Sequence, residues 1–592
     1  SVKVYRKTNV CQARFTMDTA TSLDFTHIVP YQPRHFVPGQ ADLTVLDQVR
    51  PLFQVLLDRP IDSSRALQDW LRERSELEAA LSQAGTILYI RMTCQTDDPA
   101  RARAYQHFIE TIQPVGKVFN DQLNKKYVAE QARWQLDPKR YEVYTRALRT
   151  DIELFREENV ALETEVDLRT QEYQITIGAM TVVFEGKERT LPEMGKFLYE
   201  PDRDLRERAW RSAARRRLDD RDALEQLFGR LISLRVKIAE NAGFSNFRDY
   251  KFRALHRFDY TQQDCKQYHA SIEELLVPLW RQILEKRREH MKLKKLRPWD
   301  IAVDSLGRPP LRPFQKVNEL MDGCSKIFNR LDPELGRQFS EMVAAGLLDI
   351  ESRKGKAPGG YQSTLNEARK PFIFMNAVGV DDDLRTLLHE AGHAFHALAC
   401  APDPLIDYRH GPMEFNEVAS MGMELLADPQ INVFYGPQDE QRSRSEHWEG
   451  IVSTLVWVAV IDAFQHGIYE HPQRNSAQRK DAWLAIHERF GGNFLDWEEL
   501  DDEHAFLWHR QLHIFEVPFY YIEYGIAQLG ALQLWNNARN DPKTALANYK
   551  KALALGGSRP LPELFETAGI KFDFSPKIIA PLVEVMKQQI GV

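Results

Sequence analysis

The chain has 592 residues, 78 Lys and Arg against 85 Asp and Glu, a formal charge of −7 and a 43% hydrophobic composition. It is too long for one ordinary domain, and with 31 Phe, 20 Tyr and 11 Trp it can bury a sizeable core. The acidic balance gives no general pull on phosphate backbones or anionic lipid, which argues against nucleic-acid binding and membrane-surface binding as the main activity.

The five cysteines, Cys11, Cys94, Cys265, Cys324 and Cys400, are scattered and form no Cys-x-x-Cys pair. Neither a disulfide framework nor a thiolate zinc site is expected. No apolar run approaches the roughly 20 residues of a membrane-spanning helix, and the first 20 residues hold no apolar stretch of the kind a secretory leader needs. A cytoplasmic protein is the expectation.

In chain order, residues 40 to 170 carry apolar residues at helical spacing with charges on the opposite face, as in ALQDWLRERSELEAALSQAG. YQITIGAMTVVFEGKERTL, residues 173 to 191, changes to β-branched residues around two glycines and is expected to be a short strand or crossover at a seam between two lobes. Helical periodicity then returns, and one helix is expected to end at Gly243. The basic run at 285 to 298 is expected to be a solvated helix end stopped by Pro298. Residues 354 to 380 hold the glycine pair Gly359 and Gly360, then PFIFMN, which is expected to be a strand. That strand could offer its edge to an extended peptide, and the glycines could let the adjoining loop move over it.

LRTLLHEAGHAFHALA, residues 384 to 399, follows Asp381, Asp382 and Asp383, any of which can cap a helix. Within it His389, Glu390 and His393 form H-E-x-x-H. Four residues make about one helical turn, so both imidazoles can close on one cation while Glu390 stands beside a water held there. The geometry suits zinc, and a catalytic zinc needs a third protein ligand with the fourth position left for water. A histidine ten residues after the first is one known solution, but that position is Ala399. A glutamate from a second helix is the other. In GPMEFNEVASMGMELLA, helical phase favours Glu417, 28 residues after His389, with His410 and then Glu414 as rivals. Glu424 can support a ligand histidine from behind, and Glu414 is expected to be exposed.

Near the C-terminus, HIFEVPFYYIEYGIAQLG holds His513, Pro518, Tyr520, Tyr521 and Tyr524. A helix starting at Pro518 would put Tyr520 and Tyr524 one turn apart. Tyrosine hydroxyls or a protonated histidine can stabilise the oxyanion formed when water attacks a carbonyl.

KGKAPGGYQ with PFIFMN, HEAGHAFHAL followed by EVASMGMELL, and HIFEVPFYYIEYGIAQLGALQLW together resemble the thimet oligopeptidase and oligoendopeptidase F family of zinc peptidases. The likeness is strongest to the bacterial oligoendopeptidases acting on collagen-derived peptides, and it runs from about residue 200 to the C-terminus. It implies a mainly α fold, two helical lobes enclosing a deep channel, with a small β element beside the zinc helix. It also implies one Zn2+ per chain on His389, His393 and Glu417, Glu390 as general base, and His513 and Tyr524 as transition-state stabilisers. Tyr520 or Tyr521 is an additional candidate, because the spacing from His513 to the last tyrosine is one residue shorter than in thimet oligopeptidase. The chain then divides into an unassigned extension (1–20), an N-terminal helical lobe (21–195) and a catalytic zinc-peptidase domain (196–592). The implied activity is hydrolysis of internal bonds in short peptides, with no nucleic-acid or membrane partner. The alternatives are a helical zinc carboxypeptidase or dipeptidyl carboxypeptidase, and a non-catalytic peptide-binding protein.

Overall fold

A computed structural model describes residues 23–592, and these are mainly helical. The amphipathic N-terminal stretches form α1 (Leu46–Asp58), α2 (Ser64–Cys94), α3 (Gln113–Trp134), α4 (Pro138–Leu154) and α5 (Glu157–Gly178). Ser63 caps α2 by accepting the Ala66 N–H, and Asp137 caps α4 from just before Pro138. Helices α1 to α4 bury one apolar cluster, built on Phe53, Trp70, Leu123 and Tyr127, which also takes in Leu405 and Tyr408. The ends of α2 and α5 contribute Ile90, Cys94 and Tyr173 to a second, larger core that runs to Ile590.

The expected seam divides in two. Residues 173–178 stay helical within α5, and β1 (Thr181–Phe184) and β2 (Lys187–Thr190) form an antiparallel hairpin. Glu185 and Gly186 both adopt positive φ, 50° and 72°, as a two-residue turn between right-twisted strands requires. Helix α6 (Arg221–Asn241) ends as expected: Gly243 takes φ 86°, and the Phe244 N–H closes the cap on the Ala239 carbonyl. The basic run behaves differently. After α7 (Gln262–Leu275) its helix ends at His290, and Pro298 opens a separate short turn, Pro298–Asp300.

PFIFMN lies in β5 (Lys370–Ala377), which pairs parallel with β3 (Leu348–Glu351) and antiparallel with β4 (Tyr361–Leu365). The strand order is β3-β5-β4, so β5 is central and has no free edge. That corrects the expectation for PFIFMN and explains its unbroken apolar run, since both faces of the strand are covered. The outer strand here is β4. From β5 the chain enters α8 (Asp381–Cys400), then α9 (Met413–Ala427), α10 (Pro437–Glu470) and α11 (Ile522–Asn540). Helix α10 is long and apolar enough to cross a membrane by composition, contrary to the reading of the sequence, but 72% of its apolar window is buried inside the protein. Cys94, Cys265, Cys324 and Cys400 are buried free thiols.

Candidate active site

Of the three aspartates that open α8, Asp383 is the cap: one carboxylate oxygen accepts the N–H groups of Val378, Gly379 and Val380 at 2.7 to 2.9 Å. Two turns on, His389 and His393 project from one face with ring centroids 5.0 Å apart. Helix α9 crosses that face at close range because residue 392 is glycine. A Cβ there would stand 2.5 Å from the Ala419 carbonyl oxygen and 2.6 Å from Ser420 Cα. This approach carries the buried Glu417 between the histidines. Its Oε2 lies 3.2 Å from His389 Nε2 and 3.5 Å from His393 Nε2, and it accepts from Ser420 Oγ at 3.0 Å. One donor atom from each of these three residues lies within 4.8 Å of the others.

Glu424 acts from behind. It lies 2.7 Å from His389 Nδ1 and 3.1 Å from Nε2 of His447 on α10. A carboxylate only accepts, so Glu424 holds a proton on His389 Nδ1 and thereby aims Nε2 at Glu417 Oε2, the side on which a cation would sit between them. Two imidazole nitrogens and one carboxylate oxygen, with their open side on a cavity, could together hold a divalent cation.

Glu390 is 5% exposed, burial pushes its carboxyl pKa up, and its Oε2 has no hydrogen-bond partner in the protein. Gly360, just before β4, lies against it: a Cβ there would come within 3.4 Å of Glu390 Oε1. Gly359 takes φ 83°, so the glycine pair makes a tight turn that lays the chain over the general-base candidate.

The tyrosines come from a turn and a helix. Pro518 does not start a helix. Phe519 takes φ 67°, held by its N–H on Gln465 Oε1 (2.7 Å) and its carbonyl on the Arg257 guanidinium (2.5 Å), and α11 begins only at Ile522. Tyr520 therefore lies outside the helix, and its hydroxyl donates to Glu417 Oε1 at 2.5 Å. Tyr524, in the first turn of α11, meets His513 Nε2 at 3.0 Å.

A chain of donors fixes the proton on that contact. The Trp457 indole N–H donates to Gln511 Oε1 at 3.0 Å, so the other amide atom is nitrogen, and it donates to His513 Nδ1 at 2.7 Å. His513 must then carry its proton on Nε2 and donate to the Tyr524 oxygen, which leaves the Tyr524 O–H free. Burial lowers the His513 pKa to about 4, so the imidazole is neutral at pH 7 and donates as a neutral ring.

His389, Glu390, His393, Glu417, His513, Tyr520 and Tyr524 line one cavity of about 240 Å³. His410 lines it too but sits by Asn416 Nδ2 at 3.3 Å and is not one of the three clustered donors. Tyr521 does not line the cavity; its ring meets His513 edge-on at 4.9 Å. Glu414 is buried where exposure was expected, accepting from the Tyr260 hydroxyl at 2.6 Å. Sequence reasoning missed Gly392, Gln511, Trp457, His447, Arg257 and Gln465. Only Gly392 carried a local signal, as the small residue inside H-E-x-x-H; the others act across elements distant in sequence. It also missed Glu516, which lines the cavity and accepts from Gln174 at 3.1 Å, its pKa raised by burial to about 8.

Against known families, the model described as peptidase family M3 matches residues 196–582, well over half of the chain, and the M3 N-terminal domain model matches residues 40–155. The chain belongs to peptidase family M3. Members of this family are metallopeptidases. An oligoendopeptidase F homolog of Borreliella burgdorferi is 24% identical over 317 residues, 51% of this chain and 52% of that protein. Oligopeptidase PepF of Bacillus subtilis is 23% identical over 43% of this chain and 39% of its own length. The chain thus spans about half the length of these curated relatives. A solved structure of PZ peptidase A with an inhibitor superposes with a TM-score of 0.90 at 28% identity, covering 94% of this chain and 99% of that one.

Proposed function

We propose that the chain is a zinc-dependent endopeptidase that hydrolyses internal bonds of short peptides. The observation that carries this reading is the cluster of His389, His393 and Glu417 donors on a cavity that Glu390 and the free Tyr524 hydroxyl also face. His389, His393 and Glu417 would hold the zinc ion, which when bound would supply Lewis acidity to a water and to the scissile carbonyl. Glu390 takes a proton from the attacking water and passes it to the leaving amine, a task that suits a carboxylate whose pKa is raised by burial. The oxyanion accepts from Tyr524, whose proton is turned toward it because His513 already donates to the phenol oxygen. Tyr520 holds the far oxygen of Glu417 and so orients the third ligand.

The substrate pairs with the open edge of β4, where Gly360 and Gln362 line the cavity, so main-chain hydrogen bonds bind it and varied side chains are tolerated. A carboxypeptidase reading is favoured by one observation: the buried Arg409 lines the same cavity with its Nε unpartnered, a cation able to hold a terminal carboxylate. A peptide blocked at both ends separates the two. The endopeptidase cleaves it, and mass spectrometry of the products with and without chelator reads position and metal dependence together. Failure to cleave it, alongside turnover of the free-ended peptide, transfers the assignment to Arg409 and the carboxypeptidase.

A further inference from the structure

Helices α7 and α10 pack together outside the cavity lining, and their contact repeats the donor spacing of the H-E-x-x-H helix twice. Cys265 and His269 stand one turn apart on α7, and Asp462 and His466 one turn apart on α10. All four are buried, none more than 4% exposed, and none lines the catalytic cavity. One donor atom each from Cys265, Asp462 and His466 lies within 4.8 Å of the others, the only such group besides the catalytic one among the described residues. His269 Nε2 is 2.8 Å from Asp462 Oδ2. The rings of His269 and His466 lie 5.6 Å apart at 85°, close to the 5.0 Å and 82° of His389 and His393.

Hydrogen bonding within the protein accounts for only part of this arrangement. His466 Nδ1 and Asp462 Oδ1 are buried without a hydrogen-bond partner, and His466 Nε2 has only a 3.3 Å contact with Asp462 Oδ2 that is not a well-aligned hydrogen bond, which is costly for groups so far from solvent.

We propose that Cys265, His269, Asp462 and His466 hold a second, structural zinc ion. A thiolate, a carboxylate and two neutral imidazoles around a divalent cation sum to zero charge, which suits an apolar interior; the thiol proton leaves to solvent on binding. Four protein donors leave no position for water, so this ion takes no part in hydrolysis. It clamps α10 where Gln465, the neighbour of His466, accepts the Phe519 N–H and holds the turn that presents Tyr520. The scattered cysteines had argued against any thiolate site; the single thiolate here is recognisable only once the two helices face each other.

The test is metal stoichiometry of the full chain after dialysis against zinc, with cobalt substitution as a second readout. The wild type binds two equivalents, and its cobalt form shows a sulfur-to-cobalt charge-transfer band that two imidazoles and a carboxylate cannot produce. Glu417→Ala, which empties the catalytic site, keeps one equivalent and the band. Cys265→Ala keeps one equivalent and loses the band. A wild type that binds one equivalent and shows no band overturns the proposal, as does a Cys265→Ala chain that still binds two. If Cys265→Ala does not fold, the band and stoichiometry of the wild type and Glu417→Ala decide alone. The catalytic assignment is judged separately: if it were wrong, Glu417→Ala would retain both equivalents.

Discussion

The catalytic helix pair, α8 with α9, and the buried pair, α7 with α10, use related devices: on α8 two histidines one turn apart meet a single carboxylate from α9, whereas α7 and α10 each present two candidate donor residues one turn apart. They differ in what surrounds the donors. On α8 and α9 three donors face a cavity, a fourth side is left open, and Glu390 and Tyr524 flank the opening. On α7 and α10 Cys265, Asp462 and His466 cluster in the core, with His269 against the Asp462 carboxylate. Chemistry needs the open side, whereas stability needs it closed.

The largest effect expected from breaking this contrast is at Glu390. Glu390→Gln keeps shape and metal but removes the base, so kcat should fall by about 10³-fold with zinc content unchanged in metal analysis. A nearly active variant would refute the assignment. Tyr524→Phe should lower kcat by about 10²-fold with little change in KM, because the lost donor acts on the oxyanion and not on the bound peptide. Glu424→Gln leaves the His389 and His447 imidazoles without their shared carboxylate. Zinc affinity, read by competition with a chelator, should weaken by roughly 10- to 100-fold.

The shared face of His389 and His393 was legible in the sequence because its information is local: their spacing fixes that face wherever the helix packs. Glu417 followed from helical phase on the next helix. The tyrosines were harder. Pro518 reads as a helix start, yet Gln465 and Arg257, 54 and 262 residues from Phe519 in sequence, hold that residue at positive φ and delay the helix to Ile522. Long-range hydrogen bonds overrode a local signal. PFIFMN shows the converse, since an apolar strand reads the same whether its edges are free or paired, and only the register with β3 and β4 decides. The α7 and α10 cluster was invisible for the same reason, its two donor pairs being 193 residues apart at His269 and Asp462.

A smaller effect sharpens the contrast from the cavity side. Gln511→Leu removes the donor to His513 Nδ1, so the imidazole is free to adopt the other tautomer and accept the Tyr524 proton. Tyr524 then points inward and away from the substrate. A fall in kcat of about tenfold is expected, smaller than for Tyr524→Phe because one hydrogen bond biases the tautomer by only about 1 kcal/mol. The two changes should also be non-additive, since both act through the same hydroxyl.

The smallest effect concerns the uncompensated acid in the cavity wall. Glu516 has only Gln174 as a partner, and burial raises its pKa to about 8. In the unfolded chain a glutamate titrates near 4.3, so between roughly pH 4.3 and 8 the unfolded state gives up a proton that the folded state keeps, and the Glu516 contribution to stability falls as pH rises across that window. Glu516→Gln removes the titration but keeps an acceptor for Gln174. The Tm of the variant relative to wild type should therefore climb from pH 5 to about pH 8 and then level off. A difference that stays flat over that range would mean that Glu516 is ionised in the folded protein, with a cation in the cavity wall offsetting its charge.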